Sequence, residues 1–322
     1  MRSDLRGVRW RGAVFSAAVG LPVASDGTVG RKCPSCRRYF KVEVDRLGLV
    51  EELTCPYCGN QASRDDFLTL DQRRRIRSAA MRLAIDEATK MLEESFRPLQ
   101  RTSGPIRIRY ERGRAELPPL LTYLEEETVR ERVCGGCGGR TALYGIALFC
   151  PFCGQRDALE SFAESIEVTR SLLGSTGNLP ESQRRALQAR GGEDRLAENA
   201  LVDSVAAFEA YCRSRVEEVN GAAQLQILLS KHGRNVFQRL DEAVQIMQAE
   251  LNISGTGALS TTEWDELREA FATRHVLTHN LGIADAHYGA SGGTTPLGQR
   301  VQVTRTAAER ALQLLERLVQ TI

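Results

Sequence analysis

Two of the chain's four histidines and an arginine fall within one short stretch, Arg274-His275-Val276-Leu277-Thr278-His279-Asn280. Imidazoles exchange protons near neutral pH, and a guanidinium offers phosphate oxygens a planar fork of donors. These residue types suit metal-free acid–base work on an anionic substrate. A zinc protease fits poorly. Its paired histidines require a glutamate directly after the first, and Val276 stands there.

The stretch closes a helix that begins at the capping box Ser260-Thr261-Thr262-Glu263 and ends at Asn280-Leu281-Gly282. Trp264, Leu267, Phe271 and Leu281 draw one apolar stripe along it. Arg274 and His275 follow Phe271 by three and four residues, and His279 lies one turn further on. Polar groups therefore occupy positions where core is expected, as at a helix end facing a cleft, a partner or a ligand. The plainer alternative is a capped end whose cations meet the helix dipole. An in-helix ion pair adds little to that alternative, because Phe271 and Ala270 occupy the pairing positions and Glu269 is five residues back.

Arg274-His275-x3-His279-Asn280 resembles the R-x4-6-H motif of the HEPN superfamily, in the variant with a polar residue after the arginine. The setting is similar too. The motif sits on the third long helix of a C-terminal all-α region, followed by Gly282-Ile283-Ala284-Asp285, a glycine-rich loop, and Leu297-Gly298 with Val301-Gln302-Val303. The resemblance covers roughly residues 196–322. It implies a metal-independent endoribonuclease with no catalytic cofactor, in a toxin or antiviral-defence role. His279 would do acid–base work, Arg274 would stabilise charge, His275 would orient or polarise, and Asn280 would bond substrate or backbone. It further implies RNA as partner and a homodimer whose composite site holds two copies of His279. The family also contains silent members, so the alternative is a zinc-binding adaptor for RNA or protein that dimerises through its helical bundle.

At 322 residues the chain has room for about two domains. Apolar residues make up 42%, mean hydropathy is negative, and no apolar run approaches the roughly eighteen residues of a membrane span. No membrane partner is expected. Charge is uneven: residues 1–195 carry 32 Lys and Arg against 26 Asp and Glu, and residues 196–322 carry 11 against 15. If a polyanion binds, the N-terminal half is the better electrostatic handle, although surface arginines also serve solubility.

Eight of nine cysteines form four C-x2-C pairs, which is ligand spacing and points to a reducing cytoplasm. Cys33, Cys36, Cys55 and Cys58 make one zinc ribbon; Cys134, Cys137, Cys150 and Cys153 make a second. Each set supplies four thiolates, so both ions are structural, and the ribbons look like a duplicated module open to a protein partner. Tyr39–Val44 and Leu143–Phe149 read as their hairpin strands. Cys212 reads as core. Near the N-terminus, Arg2, Arg6, Arg9 and Arg11 before an Ala13–Gly20 apolar stretch resemble a short signal peptide. Export conflicts with thiolate zinc sites, so a short strand or arm is expected there.

Residues 67–97 read as a long helix with Arg73, Arg74, Arg75 and Arg77 crowding its start, the unfavourable end for positive charge. Phosphate binding is one reading; a solvated, salt-bridged face is the plainer one. Ile106–Tyr110 alternates as a half-exposed strand does, with Arg107 and Arg109 on one face. That face suits nucleic acid or a charge-protected edge.

The expected architecture is mainly α. A C-terminal four-helix up-and-down bundle follows two small β zinc ribbons and a connecting helix. The divisions are an arm (1–29), ribbon one (30–66), a helix and strand connector (67–131), ribbon two (132–156), a helix and flexible linker (157–195), and the helical domain (196–322).

Overall fold

Each Cys-x2-Cys pair folds into the same tight turn, closed by the residue after its second cysteine. Arg37, Gly59, Gly138 and Gly154 all take left-handed backbone, with φ of 60°, 72°, 69° and 69°. Their amides donate to the carbonyls of Cys33, Cys55, Cys134 and Cys150 at 2.7–3.0 Å. Glycine reaches this region without a Cβ penalty, and Arg37 is the one turn that bears it.

The computed structural model describes residues 5–11, 14–97, 117, 119–128, 130–253 and 259–322. It divides into two units, residues 1–144 with 150–154 and residues 145–149 with 155–322.

In the first unit, β1 (Leu5–Arg11) and β2 (Val14–Val19) form a hairpin where a short strand or arm was expected. Then come β3 (Thr28–Lys32), β4 (Tyr39–Glu43), α1 (Val44–Leu47), β5 (Glu52–Thr54), β6 (Gln61–Ser63), α2 (Leu70–Phe96), β7 (Arg130–Val133) and β8 (Arg140–Leu143). The sheet order β3-β4-β8-β7 joins the two cysteine modules, with Lys41 opposite Ala142 and Val42 opposite Thr141. The hairpins carrying the first Cys-x2-Cys turn of each module thus share one sheet, whereas the sequence read as two separate ribbons; β5 and β6, around Cys55 and Cys58, pair in a sheet of their own. The strand expected at Leu143–Phe149 is also displaced. Strand pairing occupies 140–143, Gly145 turns left-handed at φ 68°, and residues 145–149 belong to the second unit.

α2 starts at a capping box in which Thr69 Oγ1 accepts from Gln72 N and Gln72 Oε1 accepts from Thr69 N. Its apolar face is only partly used: Ala79 is buried, but Met91 and Leu92 are exposed. None of the described helices is long and apolar enough to cross a membrane.

The second unit holds α3 (Ala158–Gly174), α4 (Glu181–Gln188), α5 (Gly192–His232, broken at Gly221), α6 (Leu240–Leu251), α7 (Thr261–His279), α8 (Ala286–Ala290) and α9 (Arg305–Val319). One apolar core takes side chains from α3, α5, α6, α7 and α9, with Phe208 packed edge-on to Phe271 at 5.7 Å. Four helices were expected. The fifth, α3, buries Phe162, Ile166 and Leu173 in that core and so belongs to the bundle. The polar stretch 174–192, read as a linker, contains a 3-10 turn (175–178) and α4, and lies wholly inside the second unit.

α7 begins as its capping box dictates, with Glu263 N donating to Ser260 Oγ at 3.3 Å and Ser260 N donating to Glu263 Oε2 at 2.9 Å. Leu281 departs from the expected stripe. The helix has ended at His279, Leu281 is left-handed at φ 52°, and its side chain is 88% exposed. Beyond it, Gly282 and Ala284 exchange backbone bonds with residues 298–301. Ala272, Val276, Ala284, Tyr288 and Val301 make a second, smaller core beneath that turn.

Candidate functional site

The described residues bring together two groups of four thiols, Cys33/Cys36/Cys55/Cys58 and Cys134/Cys137/Cys150/Cys153, each with its sulfurs within 4.8 Å of one another. Sulfur pairs across the turns lie 3.7, 3.7, 3.8 and 3.6 Å apart. That is far beyond a disulfide bond. It matches the edge, about 3.8 Å, of a tetrahedron of thiolates some 2.3 Å from a central ion. The two groups fit two structural metal ions.

The second site lies wholly in the helical unit. Arg274, His275 and His279 line a cleft of about 410 Å³ together with His287 of α8. The half-buried His275 ring lies against both of the others, with centroids 5.0 Å from His279 and 4.9 Å from His287. Burial lowers the His275 pKa from its usual value. The neighbouring His287 and His279 push the same way, Asp285 pulls against them, and Arg274 adds the smallest push downward.

The cleft's arginines are not equivalent. Arg268 is held by Asp241 at 2.9 Å and Asp265 at 3.0 Å, and Arg239 by Glu242 at 2.6 Å. Arg274 instead donates from Nη1 to the neutral amide oxygen of Gln238 at 2.9 Å. Its Nε is buried without a partner atom among the described residues. Gln238 is itself fixed, since its Nε2 donates to Glu209 Oε2 at 2.7 Å and Arg213 clamps the same carboxylate at 2.9 Å. A neutral acceptor orients the guanidinium while leaving its charge unspent for an anion.

Several of the expected site residues make contacts within the chain. Asn280 caps α7 and donates its amide to the Ile283 carbonyl at 2.7 Å, a backbone role that holds the turn after the motif. Arg75, expected either as a phosphate contact or on a solvated, salt-bridged face, is buried and donates to the Leu121 carbonyl at 2.9 Å. Arg73 donates to the Asp66 carbonyl at 2.9 Å, and Arg74 pairs with Asp71 at 3.4 Å. Arg77 is exposed. The crowding at the start of α2 is therefore largely used within the unit. Arg107 and Arg109, with the strand expected around them, lie outside the described residues.

By sequence alone His287 falls in the loop after the motif, from where it could approach the site, and Gln238 shows no sign of a role. His287 had the signal of its residue type but no spacing to tie it to His275. Gln238 had no signal, because its role depends on a 3-10 turn meeting α7. Compared with protein-family models, curated proteins and solved structures, the chain finds no match.

Proposed function

We propose that the helical unit is a metal-independent endoribonuclease and that the first unit carries two structural zinc ions, for which four thiolates are the preferred donor set. The observation that carries the ribonuclease reading is a guanidinium unpaired by carboxylate, Arg274, beside contiguous imidazoles at a cleft. A base removes the ribose 2′-hydroxyl proton and the oxygen attacks the adjacent phosphorus. The bond to the 5′ oxygen then breaks, and an acid protonates the leaving oxygen. His279, exposed at the cleft, transfers a proton. Arg274, held in advance by Gln238, stabilises charge on the phosphorane, where preorganised donors are most effective. His275, less readily protonated, orients its neighbours. RNA is the partner, and the resemblance to HEPN proteins adds a homodimer.

The test is incubation of the full chain with mixed cellular RNA in EDTA, wild type beside His279→Ala, with end-group analysis. Cleavage by wild type leaving 2′,3′-cyclic phosphate ends is expected, with a loss of about 10²–10⁴-fold in the variant. Absent cleavage in both, across a range of RNAs, would overturn the reading in favour of a silent zinc-binding adaptor.

A further inference from the structure

Cleavage by 2′-hydroxyl attack needs two proton-handling groups, one for the attacking oxygen and one for the leaving oxygen, on opposite sides of the phosphorus. The HEPN resemblance would draw the second from another copy of the chain. The cleft offers a nearer source. His279 and His287 are both exposed, each packs against the half-buried His275 ring, and they come from different elements, α7 and α8.

His287 is held there by its neighbours in the chain. Asp285 caps α8 by accepting from Tyr288 N at 2.8 Å. Tyr288, 1% exposed, is packed into the small core with Ala272 and Val276 of α7, so the residue beside His287 is fixed to the motif helix itself. Gly293 also packs on the Tyr288 ring, where a Cβ would stand 2.2 Å from a ring carbon. A residue on so short a helix would otherwise have little reason to keep one position.

The charges around the three rings favour division of labour. Arg274 adds positive charge and Asp285 negative; Asp241 and Glu242, further along the cleft, are engaged by Arg268 and Arg239. Burial makes His275 the ring less readily protonated, and the two exposed rings are the ones a substrate can reach. A metal centre explains the cluster less well. Among the described residues, only the two cysteine groups bring three or more ligand atoms within 4.8 Å of one another.

We propose that His287 is the second proton-transfer residue of this cleft, so that one chain carries both the acid and the base of cleavage. The proposal rests on the ribonuclease reading. In it, one of His279 and His287 takes the 2′-hydroxyl proton and the other delivers a proton to the 5′ oxygen as the phosphorus–oxygen bond breaks. No oxidant or further reactant is needed.

The test compares the full-length wild type, His279→Ala, His287→Ala and His287→Gln on the same RNA, with cleavage rate followed against pH and RNA binding measured separately. We expect both His287 variants to cleave about 10²–10⁴-fold more slowly, to bind RNA as wild type does, and to lose one limb of a bell-shaped pH profile. Mixing His279→Ala chains with His287→Ala chains should restore nothing, because every chain lacks one member of the pair. Wild-type rates in the His287 variants beside an inactive His279→Ala would overturn the proposal and leave the ribonuclease reading standing. So would recovery of activity in the mixture, which would place the pair across two chains. Wild type that cleaves no RNA would overturn both.

Discussion

The first unit gathers its chemistry-bearing groups into closed sets, and the second leaves one of its own open. Each cysteine group presents four sulfurs to a common centre, a set that would saturate an ion and leave no position for substrate. In the helical unit, an apolar core of five helices gives way at the end of α7 to Arg274 and three imidazoles facing a cleft. The same economy of residues has opposite results. Full mutual satisfaction makes a structural element, and an oriented but unpaired donor makes a place for something to bind.

Removing the metal should widen that contrast most. Structural zinc in small domains contributes about 10–16 kcal/mol of folding free energy, and the β elements here are short, three to seven residues in the first unit. Cys55→Ser, or a strong chelator, is expected to unfold the first unit while the helical unit keeps a cooperative thermal transition. Two zinc ions per wild-type chain by mass spectrometry and calorimetry of the variant check this. A single transition lost entirely would show that the helical unit depends on the metal as well.

Phe208→Ala attacks the other side. The side chain is fully buried and packs edge-on to Phe271, so its loss should cost about 3–5 kcal/mol. Zinc content should not change. Denaturant unfolding with metal analysis would separate the two effects, and a drop in bound zinc would break the comparison.

The smallest effect concerns pH. The His275 pKa is lower in the folded chain than the ordinary 6.5, so the unfolded chain binds more protons as pH falls through that value. Stability of the helical unit should therefore decline from about pH 6.5 downward, through the folded pKa of His275. His275→Asn should flatten that decline. Melting temperatures of both proteins between pH 7.5 and 5 would measure it, and parallel curves would assign the decline to other groups.

Much of this was legible in local sequence. The Ser260–Glu263 box set the start of α7, and the C-x2-C spacing gathered the thiols, because both depend on contacts within a few residues. The shared sheet was not legible. It depends on β4 meeting β8 about a hundred residues away, and neither strand carries a mark of its partner. Arg75 shows the same limit from the other direction. Its place in a run of arginines suggests an exposed phosphate contact, and only the fold reveals that a backbone carbonyl takes its donor. Leu281 kept its helical spacing on paper but fell one residue past the cap, where periodicity no longer governs direction.

The chain passes between the two units three times within a dozen residues, at 144–145, 149–150 and 154–155. When residue 149 leaves the ribosome, the second cysteine group still lacks Cys150 and Cys153, yet a strip of the helical unit already exists. Neither unit can be finished before the other has begun. No single cut of the chain yields both units intact, and a crossover at any one point would give incomplete halves.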